Sequence, residues 1–147
     1  MAFFKGQELY SIDSKGRVSI PAKMRKSLSP EAQDTFSLLR GHEECIVAYP
    51  MDEWKKYENK LEALNQFDPE NRFFLRTLLL WSEDATLDAQ QRIILPKKLL
   101  EFSGIDTKVM IIGMIDHIEF WNPETFENYM GGHSESFEDV SKKVMVK

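Results

Sequence analysis

The feature that most constrains this chain of 147 residues is an internal repeat. Residues 12–21 align with residues 87–96 at an offset of 75, so Asp13 and Arg17 recur as Asp88 and Arg92. The alignment continues at an offset of 72, where Gly41, Ile46, Tyr49, Trp54 and Tyr57 match Gly113, Ile118, Trp121, Phe126 and Tyr129. A unit this small buries too little apolar surface to be stable alone. We therefore expect the two copies to complete one core between them.

Each copy opens with a pattern typical of a β-hairpin followed by a helix. In the first copy, residues 10–12 alternate into an Asp-Ser-Lys-Gly turn at residues 13–16, and residues 18–20 alternate out of it. Asp can bond its own backbone in such a turn, and Gly supplies a left-handed position. Pro21 then suits the first turn of a short helix, predicted over residues 22–28.

The later elements of the two copies also correspond. Strands are predicted at residues 36–39, 45–49, 108–115 and 118–121, and helices at residues 52–67 and 123–130. Between the copies, Asp68 and Pro69 begin a helix that runs to Leu80 and is apolar on more than one face. Such a helix is either deeply buried or part of a subunit interface. The fold class is α+β, with a first repeat over 5–80, a second over 81–131 and a mobile or weakly helical tail over 132–147.

The distribution of charge separates two basic segments from an acidic remainder. The net charge of −5 comprises +4 over residues 1–29, −6 over 30–70, +2 over 71–99 and −5 over 100–147. Both basic segments contain the repeated hairpin motif. A short surface hairpin is often charged without a role. The alternative is a basic strip, present twice per chain, that binds phosphate while the acidic remainder suppresses unspecific binding.

Other kinds of site have little support in the sequence. His42, His117 and His133 lack ligand spacing and are expected in turns or at the surface, and Cys45 opens an apolar strand as a buried, inert thiol. No catalytic constellation, metal site or cofactor motif is present, so no enzyme activity, cofactor or small-molecule substrate is expected. Trp54, Trp81 and Trp121 are interpreted as core or interface anchors.

The sequence predicts a cytoplasmic protein. The longest uncharged runs have seven residues, whereas a bilayer span needs about twenty. The N-terminal residues are charged too early for a secretory signal, and a single cysteine excludes an internal disulfide.

The doubled Asp-x-x-x-Arg motif, each followed by an aliphatic strand and Pro, resembles the MraZ family of bacterial transcriptional regulators. The resemblance covers nearly the whole chain, including the entry at residues 4–6 and the stretch 113–121. It implies the fold of the AbrB and MazE antitoxin group, a swapped-hairpin (double-split) β-barrel with flanking helices. It also implies a nucleoid-associated regulator that binds short direct repeats in double-stranded DNA, upstream of the division and cell-wall gene cluster, as a homo-oligomeric ring.

The resemblance makes Arg17 and Arg92 the motif arginines, and Asp13, Gly16 and Asp88 the residues that shape the turns. The second copy departs from the pattern, because Gln91 replaces the glycine before the arginine. Gln adopts a left-handed backbone less easily, so a different second turn is expected. The further basic residues expected to bind phosphate are Lys15, Lys23, Arg25, Lys97 and Lys98.

The alternative from another class is an antitoxin-like or scaffold module that binds a protein through its acidic part, without sequence-specific DNA binding. The Asp–Arg pairs would then be surface salt bridges worth about 0–1 kcal/mol. An enzyme ranks third.

Overall fold

The computed structural model describes residues 3–146, which form a mixed α+β fold with eight strands and six α-helices. The first copy contains β1 (Gln7–Ser11), β2 (Arg17–Ser19), α1 (Ala22–Arg25), a 3-10 turn (Pro30–Ala32), β3 (Thr35–Arg40), β4 (Ile46–Pro50) and α2 (Met51–Glu62). The connecting helix is α3 (Pro69–Leu79), and the second copy contains β5 (Glu83–Thr86), β6 (Arg92–Ile94), α4 (Lys97–Ser103), β7 (Lys108–Met114), β8 (His117–Trp121) and α5 (Pro123–Gly131). The tail forms α6 (Phe137–Met145).

The strands build two antiparallel sheets that mix the copies. A six-stranded sheet has the order β1-β7-β8-β4-β3-β5, and a two-stranded sheet pairs β2 with β6. The first strand of each copy pairs with the other copy, β1 with β7 and β5 with β3. The central pair, β4 with β8, joins the two copies directly. An approximate two-fold axis between β4 and β8 therefore relates each strand of the sheet to the equivalent strand of the other copy.

The prediction of a local hairpin in each copy is wrong in its pairing. The strands that flank each turn diverge after the turn, and each pairs with a strand of the other copy. Neither copy could bury its apolar strands alone. The exchange of strands between the copies gives each of these strands a pairing partner and encloses a core that both copies share. The short two-stranded ribbon is therefore built from the second strand of each copy.

One core lies between the six-stranded sheet and the ribbon. Val18 and Ile93 point into it from the ribbon, and each is almost fully buried. The sheet contributes Phe36, Leu38, Ile46, Ala48, Val109, Ile111, Ile118 and Phe120. Phe4 also enters this core, and its backbone bonds that of Ile115 in both directions. The ribbon is thus anchored to the body of the protein through its inner face.

A second core occupies the opposite face of the large sheet, beneath α2, α3 and α5. Trp54 and Leu61 of α2 are buried there, with Tyr57 and Leu64 packed against them, as the helical stripe predicted. The helix ends at Glu62, earlier than the predicted residue 67. The side chain of Asn65 accepts a bond from the Phe67 backbone N–H at 3.0 Å and supports a turn instead.

The connecting helix α3 is only partly buried. Its cap is as predicted, because the Asp68 carboxylate accepts the Glu70 N–H at 2.9 Å. Leu78 is buried, but Phe73 is 73% exposed and Leu80 is 69% exposed. The prediction that this helix is deeply buried, the first of the two alternatives, is therefore wrong.

The remaining helices differ from prediction mainly in length. Helix α1 ends at Arg25 and not near residue 28, while α5 has Asn122 as its cap, as predicted. The tail is ordered into α6, which is capped by Ser136. Within residues 3–146, no helix is both long enough and apolar enough to cross a membrane.

Candidate functional site

The first repeated motif forms a turn organised by one carboxylate. Asp13 accepts bonds from the backbone N–H groups of Lys15 and Arg17, each at 2.9 Å, and from Arg17 Nε at 2.6 Å. Gly16 has a φ of +80°, and a Cβ at this position would lie 2.7 Å from the Leu95 carbonyl oxygen. The turn thus requires glycine both for its backbone conformation and for its contact with the second copy.

The second motif forms the same turn, contrary to the expectation drawn from Gln91. Asp88 accepts bonds from the N–H groups of Gln90 at 2.8 Å and Arg92 at 2.9 Å, and from Arg92 Nε at 3.2 Å. Gln91 adopts a φ of +63°. A left-handed non-glycine residue costs about 1–2 kcal/mol. The set of bonds to Asp88 offsets this cost, so the turn is retained without glycine.

The two turn carboxylates are held in the ionised form. The backbone N–H of Arg17 is the main cause that lowers the pKa of Asp13, and burial opposes it only partly. The backbone N–H of Arg92 lowers the pKa of Asp88 in the same way. Each turn therefore has a negative charge fixed beside its arginine, as an ordered ion pair.

Strand exchange brings the two motif arginines together on one surface. The register of the ribbon pairs Arg17 with Ile94, Val18 with Ile93, and Ser19 with Arg92. Because side chains alternate along a strand and the central pair is buried, the outer pairs point away from the core. We call the outward side chains of Arg17, Ser19, Arg92 and Ile94 the ribbon face. The two arginines are diagonal neighbours there, with Cα atoms roughly 7–8 Å apart.

The ribbon ends in the two turns. Leu95 N–H donates to the Gly16 carbonyl at 2.8 Å, and Ile20 N–H donates to the Gln91 carbonyl at 3.1 Å. Each turn is thereby bonded to the strand of the other copy. These backbone hydrogen bonds therefore hold both turns against the ends of the ribbon.

Both guanidinium groups keep donors available. Within residues 3–146, the side-chain hydrogen bonds and ion pairs of Arg17 and Arg92 use Nε, which faces the turn aspartate. The two Nη groups of each arginine are left for an acceptor outside the chain. A planar pair of N–H donors suits a guanine edge or a phosphate.

The other predicted basic residues differ in their exposure and in their contacts. Lys15 lies exposed in the first turn, and Lys97 and Lys98 are exposed at the start of α4, which follows β6. Lys23 is exposed on α1, with its Nζ beside Gly6. Arg25 differs from these, because it is half-buried and donates from Nε to the Ile20 carbonyl at 3.0 Å.

The remaining candidate residues have structural environments. Cys45 is fully buried, and burial raises the pKa of its thiol, which keeps it protonated. His117 was expected in a turn or at the surface, but it begins β8 with a side chain only 17% exposed. Burial lowers the pKa of His117, but hydrogen bonds to Glu119 and Asp116 outweigh it and leave the pKa raised. Within residues 3–146, no group of three potential metal ligands occurs.

Sequence reasoning did not single out Ser19 and Ile94. The signal that could have identified them is the alternation Arg-Val-Ser and Arg-Ile-Ile after each turn. With the middle residue in the core, the residues on either side must share the outer face. What the sequence did not show is that β2 and β6 pair with each other.

The fold and this surface define a class of protein, a tandem-duplicated α+β chain whose two repeats jointly present a pair of arginines. The family model described as "MraZ protein, putative antitoxin-like" matches the chain twice, at residues 3–77 and 79–146. The chain belongs to the MraZ family.

Curated relatives support this assignment along the whole chain. A protein of Natranaerobius thermophilus named transcriptional regulator MraZ is 38% identical over 142 residues, covering 97% of this chain and 96% of the relative. Proteins of the same name from Acetivibrio thermocellus and Syntrophobacter fumaroxidans are 35% identical over 141 residues and 33% identical over 138 residues. These alignments cover 96% and 94% of this chain, and 96% and 91% of the relatives.

Proposed function

We propose that this chain is a sequence-specific DNA-binding transcriptional regulator, which binds double-stranded DNA through the ribbon face. The observation that supports this most is the register of β2 with β6, which sets Arg17 and Arg92 side by side on one outward surface. The names of the relatives agree with this function. These relatives are named as transcriptional regulators. We propose no enzyme activity.

The ribbon face has the size and chemistry for the major groove. A two-stranded β-ribbon fits the groove, and arginine recognises guanine through its O6 and N7 atoms. The turn aspartates act here as positioning residues, since each holds the Nε side of its arginine and leaves the Nη side to the base. Lys15, Lys23, Lys97 and Lys98 would contact phosphates and set the position of the duplex. Arg25 would contribute through its Nη groups.

We further propose the finer architecture and assembly that the family resemblance implies. The exchange of β1 and β5 between copies supports a swapped-hairpin β-barrel of the AbrB type, with repeats at 5–80 and 81–131 and a tail at 132–147. Several chains would form a homo-oligomeric ring in the cytoplasm, associated with the nucleoid. The exposed apolar residues Phe73 and Leu80 of α3 support an interface between copies. A ring would bind short direct repeats upstream of the division and cell-wall genes with the gain of multivalency.

The test is binding to a DNA fragment from upstream of the protein's own gene. We expect Arg17→Ala and Arg92→Ala to weaken specific binding by about 1–3 kcal/mol each, because each removes a base contact. Affinity of the wild type should fall steeply with salt. Electrophoretic mobility shifts and footprinting over a salt series measure both effects.

The matched control is Lys60→Ala, which removes one positive charge from an exposed position on α2, outside the ribbon. Its affinity should stay within about twofold of wild type, since it lies outside the proposed interface. Unchanged DNA binding in a folded Arg17/Arg92 double alanine variant would refute the assignment.

The family description favours one second candidate, an antitoxin-like module that neutralises a partner protein. In that case the acidic part of the chain, −6 over residues 30–70, would be the binding surface. The folded wild type would then show a tight protein partner and no salt-sensitive DNA binding.

A further inference from the structure

The two arginines of the ribbon face occupy equivalent positions, but the side chains next to them differ between the two copies. The approximate two-fold axis relates β2 to β6, so aligned positions of the two copies occupy equivalent places on the face. The equivalent pairs are Arg17 with Arg92, Ser19 with Ile94, and Lys15 with Gln90. Because the strands are antiparallel, Ile94 lies opposite Arg17 and Ser19 lies opposite Arg92. Beside its arginine, one end of the face therefore carries a lysine and an aliphatic side chain, whereas the other end carries a glutamine and a hydroxyl group.

Ile94 is an aliphatic side chain in an unusual place. It is 58% exposed on the outer side of a strand whose inner neighbour, Ile93, is almost fully buried. Ile94 borders a depression that Ala85, Thr86 and Pro96 also line, together with Glu83 and Asp84. The apolar group that the major groove does present is the C5-methyl of thymine.

We propose that Ile94 contacts a thymine methyl next to the base bound by Arg17, so that the two ends of the ribbon face recognise different bases. At the other end, the Ser19 hydroxyl bonds a base edge beside the base bound by Arg92. This inference rests on the proposed function, and it adds the residues that determine specificity. A face with identical ends would bind a duplex equally in both orientations, whereas unlike ends favour one orientation.

The experiment replaces single thymines by deoxyuridine, which lacks only the methyl group. The probe is the duplex that the wild type protects upstream of its own gene, with one thymine substituted at a time. We expect about a three- to fivefold loss of affinity at one thymine position next to a guanine, the size expected for one buried methyl group. In Ile94→Ser this position should become insensitive, and in Ile94→Val, which keeps two methyl groups, it should remain sensitive.

An exchanged variant makes the test directional. S19I/I94S places the aliphatic side chain beside Arg92 and the hydroxyl beside Arg17, so the sensitive thymine should move to the other side of the element. Lys60→Ala, outside the ribbon, should keep the wild-type pattern. Circular dichroism and thermal melting of each variant establish that it is folded.

The outcomes separate this inference from the function beneath it. If Arg17→Ala weakens binding but no deoxyuridine position affects the wild type, or if Ile94→Ser keeps the wild-type pattern, the inference is overturned and the DNA-binding function stands. Selection of a perfect inverted repeat from a random duplex library would also overturn it. If the folded wild type shows no sequence preference, the proposed function itself fails.

Discussion

At the scale of single residues, the turn aspartates have the largest structural effect in the candidate site. Asp13 and Asp88 each accept three bonds, two from backbone N–H groups and one from an arginine. The same carboxylate therefore shapes the turn and orients the guanidinium group. This dual role explains why the second turn tolerates Gln91 in a left-handed conformation.

We predict opposite responses to substitution at the two equivalent turn positions. Gly16→Ala should lower the free energy of unfolding by about 1–3 kcal/mol, because the φ is positive and the new Cβ would meet the Leu95 carbonyl at 2.7 Å. Gln91→Gly should leave stability within about 1 kcal/mol of wild type or raise it, since it relieves a left-handed Gln. Urea unfolding of both variants measures the difference. Equal losses at the two positions would contradict this interpretation.

At the scale of elements, the ribbon of β2 and β6 couples the core to the outer surface. Val18 and Ile93 face each other in the register and close the core beneath, while their neighbours on both strands form the ribbon face. A two-stranded ribbon is marginal without such an anchor. The positions of the arginines therefore depend on apolar packing on the opposite side of the same strands.

Adjacent residues of β6 should show this division directly. We predict that Ile93→Ala lowers the free energy of unfolding by about 2–5 kcal/mol, because it opens a cavity in the core. Ile94→Ala, one position along the same strand, should change it by no more than about 0.5 kcal/mol, because Ile94 is exposed. Equilibrium denaturation of the two single variants is sufficient. A large loss at Ile94 would show that this side chain packs within the protein.

At the scale of the whole molecule, the two copies form one structural unit with a shared core. Each copy supplies an outer strand to the sheet half of the other, and the central pairing of β4 with β8 joins the halves. Charge follows the same organisation, since the paired strands β2 and β6 belong to the two segments of net positive charge, residues 1–29 and 71–99. The net charge of −5 thus describes the ribbon face poorly.

We predict that one copy does not fold as a monomer. A fragment of residues 1–80 lacks the partners of β1 and β2 and one of the two partners of β4, so it should be unfolded or should dimerise with itself. Mixing it with a fragment of residues 81–147 should restore the far-ultraviolet circular dichroism of the intact chain. Light scattering reports the mass of each species. A folded monomer of the first fragment would disprove the mutual dependence of the copies.

The sequence by itself determined the features that depend on neighbouring residues. The repeat, the first Asp-based turn, the cap of α3 at Asp68 and most strands were predictable, because turn and cap chemistry acts over four or five residues. The lengths of the helices were less predictable. Helix α2 ends early, because the side chain of Asn65 accepts a hydrogen bond from the backbone N–H of Phe67 and supports a turn there.

The tertiary structure alone decided which strands pair and therefore what the surface presents. Each apolar strand could pair with several others on pattern alone, and the choice between a local hairpin and exchange depends on the core that all strands enclose together. Exchange placed Arg17 beside Arg92, although the two are far apart in sequence, and it left Ile94 exposed next to them. The candidate residues were visible in the sequence, whereas their assembly into one face required long-range packing.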